Sequence, residues 1–481
     1  MQRKFVNNLF YVLFLNLLVK PFWILGIDAS VQNRVGAEEY GFYYPIFAFS
    51  ILLNILLDFG ITNYNNRNIA QHGHMLRRYF SGIFNVKLIL GGLYLLVTLI
   101  GGWLIGFESK AIWLLFVLGI NQTLSSMVLY LRSNLAGLHL FKTDGFLSVL
   151  DRLLMIAMCS VLLWGDWIQG EFKIEWFVYA QFWAYLLSGI VAFIIVFSKA
   201  KFYKLSLDIP LFRVILRDSL PFALLVLLMS FYYRLDSVMI GRLLPDGNEQ
   251  AGIYAQAYRL LEGFNMFAYL FAGLLLPIFS RMLKNKESVA QLVRTAFNLI
   301  FIPATAVMTI SLLYPAEIMD LIYVAHIEES AKIYGVLMIS FIAIALSYIY
   351  GTLLTANGSL KQLNIISLIG LLLNLGLNFW LIPLQGAYGA AVATLVTQFF
   401  VILAQILVTK KVIGLQYSFP FILKQAVLFV GGIALGYYSK TYFASYIWHA
   451  VFIFSAFGGG ALLLGLVSKV EILSVLRKRN S

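Results

Sequence analysis

Residues 219–241 read SLPFALLVLLMSFYYRLDSVMIG and residues 251–277 read AGIYAQAYRLLEGFNMFAYLFAGLLLP, joined by the polar turn Arg242–Gln250. Each run is long enough to cross a bilayer, because about 20 apolar residues in a helix span a hydrocarbon core of ~30 Å. Each also carries charges inside it: Arg234 and Asp236 in the first, Arg259 and Glu262 in the second. With a rise of about 1.5 Å per residue, both arginines lie roughly 10 Å below the same surface. An ionised group at that depth costs at least ~2.5–3.5 kcal/mol, so it needs a partner or a wet cavity. The hairpin therefore reads as one wall of a polar path through a membrane. Arg234 and Asp236, two apart, point to different faces of a helix, whereas Arg259 and Glu262, three apart, can pair. A salt-bridge cluster that only neutralises the hairpin is the competing reading. Tyr232, Tyr233, Tyr254 and Tyr258 lie near these charges, placed to contact sugar rings or to serve as interfacial belt residues.

The rest of the chain agrees with a membrane setting. Of its 481 residues 61% are hydrophobic and only 12% charged, against about 25% charged in soluble domains. The single cysteine, Cys159, sits in an apolar run, which leaves no partner for a disulfide within the chain and no cysteine cage for a metal. His72 and His74 are close in sequence but fall in a basic loop and read as ordinary loop residues, so no metal site is expected. No cleavable signal peptide is expected either, since the first apolar run is too long for one and lacks a small-residue cleavage site.

Fourteen apolar runs can be marked, near 7–28, 41–62, 80–105, 111–131, 146–164, 176–197, 219–241, 251–277, 292–313, 332–354, 363–382, 387–409, 420–438 and 446–467. The loops test that count. With the N-terminus inside, one face collects Arg77, Arg78, Arg132, Lys142, Lys199, Lys201, Lys204, Lys284, Lys286, Lys361, Lys410 and Lys411. The other face holds few bases and gathers Glu38, Glu39, Glu171, Glu175, Glu328 and Glu329. That bias is the positive-inside rule, which a wrong helix count would scramble. It predicts an all-α polytopic membrane protein with both termini cytoplasmic. The net charge of +13 then records topology, not a nucleic-acid surface.

The longest cytoplasmic connection, Ser198–Asp218, divides six helices from eight and reads as a linker, in part a helix on the membrane surface. The expected organisation is a six-helix lobe over 1–197, a basic linker over 198–218, a second six-helix lobe over 219–409, and two further helices with a basic tail over 410–481. An internal repeat supports it. Glu38-Glu39-Tyr40-Gly41-Phe42-Tyr43 matches Glu249-Gln250-Ala251-Gly252-Ile253-Tyr254. Leu135-Ala136-Gly137 with Lys142 matches Leu354-Thr355-Ala356 with Lys361. Six helices per unit is even, so the lobes are parallel repeats, and a substrate path is expected between them.

The first helix of each lobe carries a cation, Lys20 beside Pro21 and then Arg234. Together they suggest a cationic cavity for an anionic group, against the plainer reading in which Lys20 snorkels and Arg234 is neutralised. Asp58 near the end of the second helix is suited to gating or ion coupling, or to pairing with a nearby base. Lys87, Asp151 and Arg152 lie at comparable depths and are open to either reading. Asn374 and Asn378, one turn apart, precede Gly386 and Gly389, a packing signal between helices. No phosphate-binding glycine loop, nucleophile motif or nucleotide-binding domain is legible, so the chain is not expected to be an enzyme.

Arg34-Val35-Gly36 with Tyr40-Gly41, Asp58-Phe59-Gly60, Pro221 with Arg234 and Asp236, Gly252 with Tyr254, and Asn374/Asn378 with Pro383, Gly386 and Gly389-Ala390 form a combination spread over most of the chain. In it the chain resembles polysaccharide flippases of the Wzx type, within the multidrug/oligosaccharidyl-lipid/polysaccharide exporter superfamily. The resemblance implies two six-helix lobes working by alternating access in the bacterial cytoplasmic (inner) membrane. It implies a lipid-linked oligosaccharide, usually on undecaprenyl pyrophosphate, moved from the cytoplasmic to the periplasmic leaflet for surface polysaccharide such as O-antigen, capsule or exopolysaccharide. It also implies a cationic cavity for the pyrophosphate, for which Lys20, Arg34, Arg234 and Arg259 are the matching candidates, with Asp58, Asp236 and Glu262 as gating or coupling carboxylates. No bound cofactor is implied; proton or sodium coupling and the membrane potential are the open energy sources. A polysaccharide polymerase and a chain-length regulator are the implied protein partners, besides the bilayer itself. The rivals are a multidrug exporter of the same superfamily, which would favour a carboxylate where Lys20 stands, and a membrane polymerase or glycosyltransferase, which would need a longer outer loop than the one near Tyr314–Ala331.

Overall fold

The computed structural model describes residues 18–62, 65–66, 69, 76–138, 140–165, 171–200, 209–416 and 418–467, and among them the only regular structure is helix. His72, His74, the start of the first apolar run and the basic tail lie outside the described residues. The crossings are α1 (18–35), α2 (37–52 and its continuation), α3 (Leu76–Leu104), α4 (Ser109–Gly137), α5 (Phe141–Trp164), α6 (Ile174–Ala200) and α7 (Ile209–Leu243). They continue with α8 (Gly247–Lys284), α9 (Ala290–Leu313), α10 (Ile327–Ala356), α11 (360–385), α12 (387–413), α13 (Phe419–Ser439) and α14 (Tyr446–Leu463).

Two connections are so short that helix runs almost unbroken through them. Gly36 (φ 81°, ψ 172°) separates α1 from α2, and Gly386 (φ 60°, ψ −142°) separates α11 from α12. Both conformations are open only to glycine. Each turns the chain back on itself. The Tyr40 hydroxyl donates to Asp28 Oδ2 at 2.8 Å, a pair that a straight helix would hold roughly 18 Å apart. Likewise a Cβ on Gly389 would stand 2.3 Å from the Leu381 carbonyl oxygen. Eleven helices in the described residues are long and apolar enough to cross a membrane, the Leu360–Ile413 helix among them. With the Gly386 turn counted and α1 and α2 added, the crossings number the fourteen expected.

Three boundaries differ from expectation. The first crossing does not stop at Asp28 but continues through a π-helical turn, Trp23–Asp28, to residue 35. Tyr40 satisfies the Asp28 carboxylate, so the charge does not force the helix to end. The second crossing, expected to be continuous to 62, breaks after Leu52 into a short 3-10 turn, Asn54–Leu57, followed by Phe59 (φ 45°) and Gly60 (φ 80°). The basic connection is also shorter than 198–218, because α6 reaches Ala200 and α7 starts at Ile209. Residues 209–218 are continuous with the seventh crossing rather than a separate surface helix.

The chain forms two compact units, Met1–Ala255 and Gln256–Ser481. In the first, α4 packs on α3 and α6, α5 packs on α6, and Ala29–Leu52 packs on α4 and α7. Its core joins Phe80, Ile83, Leu90, Tyr130, Leu131, Leu135, Leu147, Ala192 and Val196. In the second unit α10 lies against α9 and the α11–α12 hairpin, and α13 and α14 lie against α9. A polar clamp fixes that last pair. His449, fully buried, accepts or donates at Nδ1 with the Tyr314 hydroxyl (2.7 Å) and at Nε2 with Ser439 Oγ (2.8 Å). Lys440 donates to the Leu313 carbonyl at 2.7 Å and lies 4.7 Å above the Tyr314 ring. Burial and then the Glu317 carboxylate push the Tyr314 phenol above its ordinary pKa. It therefore stays protonated and is available to donate to Nδ1, which leaves Nε2–H to donate to Ser439.

Candidate functional site

In the first unit, charge gathers between α1, α4 and α5. Lys20, half-buried on α1, lies within electrostatic reach of Arg152, Arg132 and Asp151. The Arg152 guanidinium sits over two rings, 5.5 Å from Trp23 and 5.8 Å from Tyr185. Trp23 is itself stacked on Phe177 at 5.6 Å and 8°. Rings at that range attract a cation through their negative faces. The carboxylate neighbour of Arg152, Asp151, is 3.9 Å from Nε, and Nη1 reaches Met155 Sδ at 3.1 Å. Arg132 pairs more closely, with Nε 2.8 Å from Asp144 Oδ1. Among the described residues, Lys20, Arg132 and Arg152 thus gather with the carboxylates of Asp151 and Asp144. Such a cluster can receive an anion, and Arg152 offers the fork geometry suited to phosphate.

A second feature of this unit is a seam between the Ala29–Leu52 segment and the beginning of α8. Gln32 Nε2 donates to the Gly252 carbonyl at 2.8 Å. A Cβ on Gly41 would stand 1.6 Å from the Asn248 carbonyl oxygen, and one on Gly252 would stand 2.0 Å from that of Ala37. The approach is reciprocal. Each glycine faces the carbonyl four residues before the other, so the sequence repeat reappears as a symmetric crossing of backbones. Near it, buried Asp236 accepts from the Tyr254 hydroxyl at 3.0 Å, while buried Asp28 accepts from Tyr40. Each hairpin therefore closes on an aspartate–tyrosine bond.

The third feature is the broken part of α2. Asp58 pairs with Lys87 of α3, Nζ to Oδ1 at 2.8 Å. Lys87 is almost wholly buried, whereas the Asp58 side chain keeps 28% of its surface exposed.

The remaining candidates are placed as follows. Arg34 is exposed beside the Gly36 turn, and Arg234 is half-buried on α7. Tyr232 and Tyr233 bring their rings to 4.8 Å, and Tyr232, Tyr254 and Tyr258 are buried. In the second unit Arg259 and Glu262 make the expected i,i+3 pair, Nη1 to Oε2 at 2.8 Å. Asn378 Nδ2 donates to Asn374 Oδ1 at 3.1 Å, both fully buried, which suits the packing role expected of them. Among the described residues no three His, Cys, Asp or Glu side chains stand close enough to hold a metal ion.

Asp28, at the end of the run 7–28, is not among the residues that sequence reasoning singles out. The tyrosine twelve residues on, across an Arg-Val-Gly turn, was the signal that could have found it. Arg152 was weighed but not placed beside Lys20, because their contact lies between helices far apart in the chain.

A family model described as polysaccharide biosynthesis protein matches residues 5–283. No curated protein matches at the level of sequence. Among solved structures the chain is similar to the lipid II flippase MurJ in an inward closed conformation, with a TM-score of 0.72 at 13% identity over 94% of this chain and 97% of that one. It is similar to an inward-facing multidrug resistance MATE family transporter of the MOP superfamily, with a TM-score of 0.65 at 17% identity over 82% and 94%. A MOP superfamily transporter from Pyrococcus furiosus, described as having a binding pocket of reverse polarity, gives 0.58 at 17% over 82% and 95%. At these identities the likeness is one of fold, and that fold is the one these multi-pass transporters share.

Proposed function

The chain belongs to the polysaccharide biosynthesis protein family, and on that premise we propose that it flips a lipid-linked oligosaccharide across the bacterial inner membrane by alternating access. The direction is cytoplasmic to periplasmic leaflet, with both termini cytoplasmic, and the carrier group is a pyrophosphate. The observation that supports the reading is the gathering of three cations, Lys20, Arg152 and Arg132, inside a membrane-spanning unit. Buried charge of one sign is costly, and a pyrophosphate would offset it. The aromatic cradle of Trp23 and Tyr185 positions the Arg152 guanidinium beside Lys20. Arg234 and Arg259 are the further cations assigned to the head group, and Tyr232, Tyr233 and Tyr258 to its sugars; Asp236 and Glu262 tune them.

Chemistry explains why a protein is needed: each unsatisfied polar group of a sugar costs several kcal/mol in hydrocarbon. Export of two negative charges down a potential of ~100 mV releases roughly 4–5 kcal/mol, so the potential can set the direction. A cationic cluster repels the cationic compounds that a drug exporter of this fold would carry.

Complementation of a strain lacking its own flippase tests the proposal. The parent chain is expected to restore surface glycan, Arg152→Lys to retain part of it, and Lys20→Ala or Arg152→Ala to lose most of it at equal protein level. Normal export by both alanine variants would sink the cationic-cluster reading. Lipid-linked oligosaccharide should accumulate on the cytoplasmic side when the gene is lost; accumulation on the far side would indicate a polymerase.

A further inference from the structure

We propose that the broken segment of α2 is a monovalent-cation site of the first unit, and that Lys87 fills it with a tethered ammonium, so that this unit works without sodium. Three observations point there. First, α2 leaves regular α-helical geometry after Leu52, with a 3-10 turn at Asn54–Leu57 and left-handed backbone at Phe59 and Gly60. A left-handed non-glycine residue is strained and persists where its surroundings enforce it. Interrupted membrane helices are also where backbone carbonyls become free to meet cations.

Second, the atoms gathered at the break are oxygens suited to a small hard cation. Lys87 Nζ donates to Asp58 Oδ1 at 2.8 Å and to Ser126 Oγ at 2.6 Å. Ser126 in turn donates to the Leu57 carbonyl at 3.3 Å. The Thr62 hydroxyl donates to the same Asp58 oxygen. A carboxylate, two hydroxyls and a carbonyl form the donor set that alkali and alkaline-earth ions prefer.

Third, the site has an open side. The Asp58 side chain is 28% exposed while that of Lys87 is 1% exposed. An ion could reach the carboxylate from that side if the ammonium did not already hold it. A plain structural ion pair would not need the helix to break around it.

The binding chemistry stands on this geometry alone, while its consequence for transport rests on the flippase reading. The test therefore uses thermal unfolding of the purified full-length chain in detergent and needs no transport substrate. Sodium chloride is compared with choline chloride at equal ionic strength for the parent, Lys87→Met, and Lys87→Met with Asp58→Asn. A ligand that binds only the folded state raises its unfolding temperature with concentration. The parent is expected to show no sodium-specific shift. Lys87→Met should gain a saturable rise of roughly 2 °C or more, and the double variant should lose it. Lys87→Gln, which keeps a polar end group, replaces Lys87→Met if that variant does not fold. A saturable sodium response in the parent that Asp58→Asn abolishes would show that the site admits an outside ion and would overturn the proposal. Absence of any sodium response in both Lys87 variants would overturn it as well, leaving Asp58 and Lys87 as a structural pair only.

Discussion

Substituting Gly41 by alanine adds one methyl group at the point where two backbones pass within contact. Its Cβ would stand 1.6 Å from the Asn248 carbonyl oxygen and 2.6 Å from the Gly252 nitrogen. An ordinary carbon–oxygen contact is ~3.3–3.6 Å, so the crossing would have to open by well over an ångström. Backbone atoms on helices offer no side-chain rotamer through which to yield. Forcing extra methylenes into a packed interface costs typically about 1–3 kcal/mol. The Gln32–Gly252 hydrogen bond, 2.8 Å in the closed crossing, would lengthen and forfeit about 0.5–1.5 kcal/mol more. The sum, roughly 1.5–4.5 kcal/mol against the closed crossing, corresponds to about one to three decades in an equilibrium at ~1.4 kcal/mol per decade. If the crossing parts during transport, the variant should populate the parted state without unfolding. A cysteine at fully buried Ala251 reports this through its rate of reaction with a membrane-impermeant maleimide, against a low background from buried Cys159. Gly41→Ala is expected to raise that rate at least tenfold at an unfolding temperature within a few degrees of the parent. A lower unfolding temperature with an unchanged labelling rate would refute the reasoning, since the crossing would then be a fixed scaffold.

Two further outcomes follow from the second unit. Glu262→Ala removes the 2.8 Å partner of a largely buried arginine, and breaking a buried pair from one side costs about 3–5 kcal/mol; Arg259→Met with Glu262→Met should recover much of the lost thermal stability, measured by unfolding in detergent. His449→Ala removes two hydrogen bonds and a ring stacked on Phe443 at 4.9 Å, so it should destabilise the α9–α13–α14 packing by about 3–5 kcal/mol, whereas Tyr314→Phe should cost about 1 kcal/mol in the same assay.

The architecture was legible because a bilayer demands it. Apolar runs of crossing length, basic loops on one face and the Glu38–Tyr43 and Glu249–Tyr254 repeat are all properties of local sequence. What sequence could not place depends on helices meeting. Lys87 and Asp58 are 29 positions apart and on different helices, and either could have snorkelled. The break in α2 also escaped, since Asp58-Phe59-Gly60 was read as the end of a span, and only Gly60 marks a left-handed position by residue type. The Gly36 turn shows the opposite case. The polar stretch between the runs 7–28 and 41–62 marks a reversal, but nothing in it by residue type narrows the reversal to one glycine between two nearly continuous helices.

The reciprocal crossing gives the repeat a consequence that neither half would have alone. Gly41 faces Asn248, and Gly252 faces Ala37; both pairs relate by the offset that aligns Glu38–Tyr43 with Glu249–Tyr254. Because the two close approaches belong to one crossing, they cannot be relieved separately. A methyl at Gly41 that pushes the helices apart also makes room at Gly252, where a Cβ would otherwise stand 2.0 Å from the Ala37 oxygen. Gly41→Ala and Gly252→Ala should then act with the same sign and similar size on maleimide labelling at position 251 read against unfolding temperature. The double variant should fall short of their sum by about 0.5–3 kcal/mol, the range found for residues that share a contact. Additive effects would mean that each glycine yields locally, by a helix bending at its own site, and that the two approaches are independent coincidences of packing.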